Sequence, residues 1–253
     1  MIADALNAYG ARRRAWSHDR AATLGASAVG ACLRRSWFEK HGTAPDEGHA
    51  ETWGYMQRGA VFEDHFFVPA LRAHYGPRLR FAGDNQRTFF DDVAPLSATP
   101  DGLLRDVTLE ECVAWGIPPT DCVLIECKSI GAFKAAELPK PEHEFQVQVQ
   151  MGLVRQHGRY QPDAAIIVYT SAFDWSRISE HAVSFDPAVF ERARNRARVA
   201  TSARSAARVV AEGRISGREC RYCPYLNSCE SAERFGTSEL PAAAGRPAAS
   251  AAD

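Results

Sequence analysis

The nine residues CVLIECKSI, Cys122 to Ile130, constrain this chain more than any other stretch. The run is apolar on both faces through Ile125, the pattern of a central strand covered on both sides. Such a strand asks for an α/β architecture, with helices packed on either face of a sheet. Glu126 and Lys128 interrupt the apolar run. Side chains two apart on a strand point the same way, so an acid and an amine leave this oily strand together. Burying them is costly without partners or a metal, which makes the pair a candidate for chemistry.

Upstream, SATPDGLL places Asp101 beside Gly102 at a strand end or bend. If that strand pairs with CVLIECKSI, the carboxylates of Asp101 and Glu126 converge. Two carboxylates, with backbone and water oxygens, suit Mg²⁺ or Mn²⁺. A lysine beside such an ion can hold, or help deprotonate, a water aimed at phosphorus.

The rest of the chain supplies a frame. A basic helix or arm is expected up to about residue 22, then helical spacing at Val29, Leu33, Trp37 and Phe38. A long amphipathic helix is expected to follow, interrupted at Pro69 and ended near Gly76. LRFAGDNQRTFF and LSATPDGLLRD read as strands, with Gly83-Asp84-Asn85 as a hairpin tip and TLEECVAWGIPPT as an inserted excursion. Pro141 opens a helix, AAIIVYTS and EHAVSF are strands, and Asp186-Pro187 starts a long Ala/Arg helix running to AEG at residue 213. The expected organisation is one domain over residues 1–235, with an α/β core at about 55–185 and a helical lobe from 1–50 and 186–235. Residues 236–253, rich in Ala, Pro and Ser, are expected to be disordered.

The formal net charge of −1 excludes a global polycation, so local patches must carry any affinity for nucleic acid. No signal peptide or membrane span is legible, and a cytoplasmic location is expected, where thiols stay reduced. The seven cysteines therefore call for metal, redox or packing roles. Cys220, Cys223 and Cys229 have C-x₂-C-x₅-C spacing, most of a metal site, and zinc and an iron–sulfur cluster both fit. Cys32 is the candidate fourth ligand, because Cys112, Cys122 and Cys127 lie in or near the core. Arg194 with Arg198, and Arg204 with Arg208, are i,i+4 pairs able to line a DNA-binding helix face. Trp37, Tyr222 and Tyr225 are available to stack on bases.

TPDGLL together with IECKS resembles the signature of PD-(D/E)XK nucleases, and the order of elements resembles their αβββαβ core. The resemblance implies that Asp101, Glu126 and Lys128 are metal ligands and catalyst, with the backbone carbonyl of Cys127 as a further metal contact. RGAVFEDHFF resembles the first-helix motif of RecB-like and lambda-exonuclease-like enzymes, which adds Glu63. EFQVQVQMGL resembles the glutamine motif after the catalytic strand, aligned best on Gln148 with Gln150 next, although Gly152 replaces the usual aromatic. Gln146 and Gln150 share a helix face and Gln148 lies about 160° away, so only one set can look into the site.

CLRRSWFEK and CRYCPYLNSC resemble the RecB-like nucleases that carry an iron–sulfur staple, among them the CRISPR-associated Cas-four nucleases and AddB. That implies a structural [4Fe–4S] cluster on Cys32, Cys220, Cys223 and Cys229 that closes the helical lobe, in preference to zinc. The implied activity is a Mg²⁺- or Mn²⁺-dependent DNA exonuclease acting on single-stranded ends or overhangs. Its implied context is CRISPR spacer acquisition in antiviral defence, with the Cas-one/Cas-two integrase, or phage recombination. A non-catalytic DNA-binding subunit with a structural cluster is the alternative. No membrane partner is expected.

Overall fold

The computed structural model of the protein describes residues 2–10, 22–46, 53–131, 137–206, 209, 220 and 223–229. The expected tail at 236–253 lies outside these. In chain order the elements begin with α1 (Ile2–Gly10), β1 (Leu24–Gly25), α2 (Ala26–Val29), α3 (Leu33–Lys40) and α4 (Trp53–Phe62). A π-helical turn (Glu63–Phe67) leads into α5 (Val68–Tyr75), followed by β2 (Leu79–Arg80), β3 (Phe89–Phe90), β4 (Leu96–Ala98), β5 (Gly102–Arg105) and α6 (Leu109–Trp115). Then come β6 (Cys122–Ile130), α7 (Pro141–Gln156), β7 (Ala164–Ser171), β8 (Ile178–Ser184) and α8 (Pro187–Ser202).

The main sheet has the order β2-β5-β6-β7-β8, so CVLIECKSI is its middle strand. β6 runs antiparallel to β5 and parallel to β7. Alternation sorts the side chains of β6 onto two cores. Cys122, Leu124 and Ile130 pack with Val147, Val149 and Met151 of α7. Val123 and Ile125 pack with Phe62, Phe67 and Val68 of the α4–α5 segment. A three-stranded sheet, β1-β4-β3, lies apart from the main one.

α8 lies against α7 at Gly152, where any Cβ would come within 2.4 Å of the Phe190 ring. The missing aromatic of the glutamine motif is thus a requirement of helix packing. Arg196 of α8 is buried and donates to the carbonyls of Val29 (2.7 Å) and Ala31 (2.8 Å). It satisfies backbone acceptors left at the end of α2 and pins the amino-terminal helices onto α8.

Several expectations are corrected. Gly83–Asn85 is a 3₁₀ turn and not a hairpin tip, because the strands flanking it belong to different sheets. Phe81 takes a positive φ of 56° and turns the chain from one sheet to the other. The long helix is not broken at Pro69, which falls in the first turn of α5. The adjustment comes one turn earlier, where Val68 N–H bonds Glu63 O, an i→i+5 spacing that relieves the clash of a proline ring with the preceding turn. The excursion is a short helix, α6, closed by a Thr108–Glu111 capping box and by Gly116 at φ 65°. α8 ends at Ser202, short of the expected residue 213; Thr201 Oγ1 bonds Ala197 O and the Trp37 indole takes Ala203 O at 2.8 Å. Among the described residues, no helix is long and apolar enough to cross a membrane.

Candidate active site

β5 ends one residue after Asp101 in the antiparallel direction, while β6 continues. Gly102 is opposite Ile125, the last pair of that ladder. Beyond it the Cys127 N–H would lack a strand partner on this side, and Asp101 Oδ2 accepts it at 2.8 Å. The register therefore brings Asp101 to the level of Glu126.

Glu126 is 2% exposed, and both its oxygens are taken. Oε1 accepts from Lys128 Nζ at 2.5 Å and from Gln146 Nε2 at 2.6 Å. Oε2 accepts from Gln150 Nε2 at 2.6 Å. Lys128 also donates to Gln146 Oε1 at 3.0 Å. Glu63 stands at the start of the π turn, where Gln86 donates to its Oε1 at 2.9 Å.

Electrostatics tie the three acids together. Burial first, then the charges of Glu126 and Glu63, hold the Asp101 carboxyl well above the ordinary range, against the opposing pull of Lys128 and the Cys127 N–H. Burial alone would lower the Lys128 amine; the Glu126 and Asp101 charges outweigh it and raise it. The Cys127 thiol is pushed up by burial and then by Asp101, Glu63 and Glu126, which keeps its sulfur protonated. Behind Lys128, Tyr169 OH bonds the His143 ring at 2.9 Å and accepts Lys140 N–H at 3.0 Å. Burial, then Lys128 and Lys140, lower His143 to about 3.

The glutamine assignment is corrected. Gln148 does not face the carboxylates: its amide donates to Ser184 O and accepts Asp186 N–H, both at 2.7 Å, tying α7 to the start of α8. Gln146 and Gln150, on the opposite helix face, meet Glu126. The apolar neighbours Val147, Val149 and Met151 do not distinguish the faces, since both are buried. The one available signal was that Gln146 and Gln150 form an i,i+4 pair.

The proposed DNA contacts are also redirected. Arg194 binds Asp91 Oδ2 at 2.6 Å, Gln156 Oε1 at 3.1 Å and the Glu191 carboxylate, and stacks on Phe190. It is a structural clamp, not a free cation. Arg198 bonds Asn195 Oδ1 at 2.9 Å and Val93 O at 3.4 Å. Arg204 is exposed, and Arg208 and Tyr222 lie outside the described residues. Trp37 stacks on His41 at 3.9 Å and Tyr225 is buried against Phe38 at 5.2 Å, so both are packing residues.

The cysteines form a second cluster of chemistry. Cys32 is the buried N-cap residue of α3. Burial holds the Cys223 thiol up at about 11, with Cys32 and Cys220 adding to it and Arg35 opposing. Arg34 is 5% exposed and donates to Cys229 Sγ at 3.6 Å and Val209 O at 3.1 Å. Asp46 accepts from Asn227 N at 2.7 Å and Ser228 Oγ at 3.2 Å. Among the described residues, no group of three or more His, Cys, Asp or Glu side chains stands together so as to hold a metal ion. At Glu126, Lys128 and two glutamines take up the oxygens a cation would use.

No family model matches the sequence, and no curated protein matches it. The fold does have solved counterparts. The crystal structure of SSO0001 matches 91% of this chain and 96% of its own, with a TM-score of 0.50 at 16% identity. The alkaline exonuclease LHK-Exo from Laribacter hongkongensis, in complex with dAMP, gives 0.49 at 19% identity over 86% of this chain and 96% of that one. A phage related exonuclease from Haemophilus somnus 129PT gives 0.43 at 15% identity, over 66% and 77%. The likeness to SSO0001 is one of fold.

Proposed function

We propose that this chain is a divalent-metal-dependent deoxyribonuclease acting on single-stranded ends or overhangs. The observation that carries the reading is that Asp101 and Glu126 meet beside Lys128, with Glu63 near enough for its charge to act on Asp101, so that burial and repulsion hold Asp101 well above the ordinary carboxylate range. Such a set concentrates more negative charge than the protein neutralises, which fits a hard cation. Gln150 Oε1 is a buried amide oxygen without a partner at the same place, a further acceptor for an ion or its water. Asp101, Glu126, Glu63 and the Cys127 carbonyl would hold one or two Mg²⁺ or Mn²⁺ ions, whose chemistry is to polarise a phosphoryl oxygen and acidify bound water.

The chain's own residues do the rest. Lys128, held by Glu126 and Gln146, donates to the attacking water or to oxygens gaining charge at phosphorus. Gln146 bridges Lys128 and Glu126 and fixes the direction of the ammonium. Gln150 fixes the second oxygen of Glu126. Asp101 is locked by the backbone of the strand that carries Glu126, so the two carboxylates keep their separation.

For the cysteines, we read a [4Fe–4S] cluster on Cys32, Cys220, Cys223 and Cys229. What supports the donor set is that Cys32 and Cys220 act on the charge of Cys223, and that the buried Arg34 guanidinium donates to a carbonyl and to Cys229 Sγ. A buried cation calls for a counter-charge, and thiolate ligation supplies it.

The test is cleavage of 5′- and 3′-labelled single-stranded DNA with Mn²⁺ by anaerobically purified protein, beside Glu126→Gln and Lys128→Met. Loss of at least 1,000-fold in rate in both variants is the expected result. Binding without cleavage under every divalent metal would instead make the chain a DNA-binding subunit.

A further inference from the structure

Three aromatic residues from two distant parts of the chain meet at the rim of the sheet, next to the proposed active site. Phe62 is 1% exposed and forms a floor, with Phe66 at 5.5 Å and Trp175 at 5.0 Å. Phe66 and Trp175 lie 5.3 Å apart and are 41% and 39% exposed. Phe173, on the same loop as Trp175, is 84% exposed. Packing explains Phe62. It does not explain two rings, Phe66 and Trp175, held side by side with their outer surfaces in water, since exposed aromatic surface is unfavourable unless something covers it.

The rings are tied to the catalytic elements. Phe66 is in the π turn that begins with Glu63. The loop carrying Phe173 and Trp175 is fastened to the end of β6 by Ala172 N–H to Ile130 O at 2.8 Å, and a side chain at Gly131 would meet the Phe173 ring at 3.9 Å. Ile130 is two residues beyond Lys128, about 7 Å along a strand. The loop is also braced: Ser171 Oγ accepts the N–H groups of Phe173 and Asp174, and Asp174 Oδ1 accepts from Ser176 N and Oγ. The shelf is therefore pre-formed, at the end of the strand that carries Glu126 and Lys128.

We infer that Phe66 and Trp175 form a stacking shelf for unpaired nucleobases of the polynucleotide whose backbone crosses the carboxylates, with Phe173 exposed on the same loop. This deepens the nuclease reading and rests on it. Charge favours this occupant. The chain has a formal net charge of −1, and Arg194, the expected phosphate contact, is neutralised by Asp91 and Glu191. With Arg194 engaged, contacts that do not depend on charge add affinity wherever bases are unpaired. Stacking on aromatic faces is such a contact and tolerates any base sequence. It also selects strands whose bases are unpaired, since bases inside a duplex already stack on their neighbours.

The experiment uses the full chain carrying Glu126→Gln to stop cleavage, with Phe66→Ala, Trp175→Ala and the double variant, each checked for native circular dichroism. Fluorescence anisotropy compares a labelled dT oligonucleotide with an abasic oligonucleotide of equal length. The expected result is that the parent prefers the base-bearing strand, that each truncation weakens it roughly tenfold, and that the double variant loses the preference. Trp175→Phe, which keeps an aromatic face, should restore most of the affinity. Unchanged preference in the double variant overturns the shelf. So does a change in sedimentation mass with unchanged DNA affinity, which would make the rings a self-association face. The two readings fail differently: if the shelf is wrong, Lys128-dependent cleavage persists in the otherwise unmutated double variant at the parent's rate, whereas if the nuclease reading is wrong, the unmutated chain cuts nothing.

Discussion

The carboxylate site and the cysteine corner both join residues distant in sequence, but by different means. At the carboxylates the backbone ladder does the positioning. The β5–β6 register brings Asp101 level with Glu126, and the Cys127 N–H locks it there. At the cysteines, side chains do most of it, Asp46 on Asn227 and Ser228, Arg34 on Cys229, Phe38 on Tyr225, beside one backbone bond from Asp46 N–H to Pro224 O at 2.6 Å. A ladder is cooperative and indifferent to any one side chain, whereas a corner of side-chain contacts depends on each. The first region is organised by its backbone; the second, on the proposed reading, is closed by a cluster between its two ends.

The strongest way to break this contrast is to remove one of the proposed cluster thiols. In Cys229→Ser, amide exchange over residues 223–229 should accelerate about 100-fold, as local opening becomes cheap, while amides of β6 stay within threefold. Hydrogen exchange read by mass spectrometry checks this. Equal loss of protection in both regions would show that the corner also organises the sheet.

A sharper cut lies within one helix. Gln150→Leu frees Glu126 Oε2 and should slow cleavage 10- to 100-fold with little change in melting temperature. Gln148→Leu removes two bonds to the backbone of Ser184 and Asp186 and should cost about 2 kcal/mol of stability while cleavage stays within threefold. Steady-state rates beside thermal melts separate the two, and the reverse pattern would return Gln148 to the site.

The smallest expected effect is a pH dependence. His143 is lowered to about 3 by burial, Lys128 and Lys140. The unfolded chain binds this proton near pH 6.5 and the folded chain does not, so the stability tied to His143 is complete above pH 6.5 and is lost as pH falls toward 3. The contribution is at most about 1.4 kcal/mol per pH unit. Urea melts between pH 7 and 5.5, a window worth about 1.4 kcal/mol, should show a shallower decline in His143→Gln.

What the sequence disclosed follows the same division. CVLIECKSI was legible because an unbroken apolar run admits few places in a fold, and the charged pair stood out against it. Helix α7 was legible from its length and Pro141, but its active face was not: buried apolar residues surround all three glutamines, and only the turn of the helix against β6 decides which meet Glu126. The 83–85 segment misled because turn residues mark a reversal without saying which strands follow it into which sheet. The aromatic shelf left no local trace, since Phe62 and Phe66 join Trp175 across more than a hundred residues. Arg194 read as a free cation because Asp91, its partner, is equally remote.

The central claim is that Asp101, Glu126 and Glu63 form a cation site. The most direct test is Mn²⁺ titration of the full chain followed by electron paramagnetic resonance of the free ion, with Glu126→Gln alongside. The account predicts saturable binding of one or two ions in the unmutated chain and a loss of at least tenfold in affinity in Glu126→Gln. Equal binding by both proteins, or none by either, would contradict it.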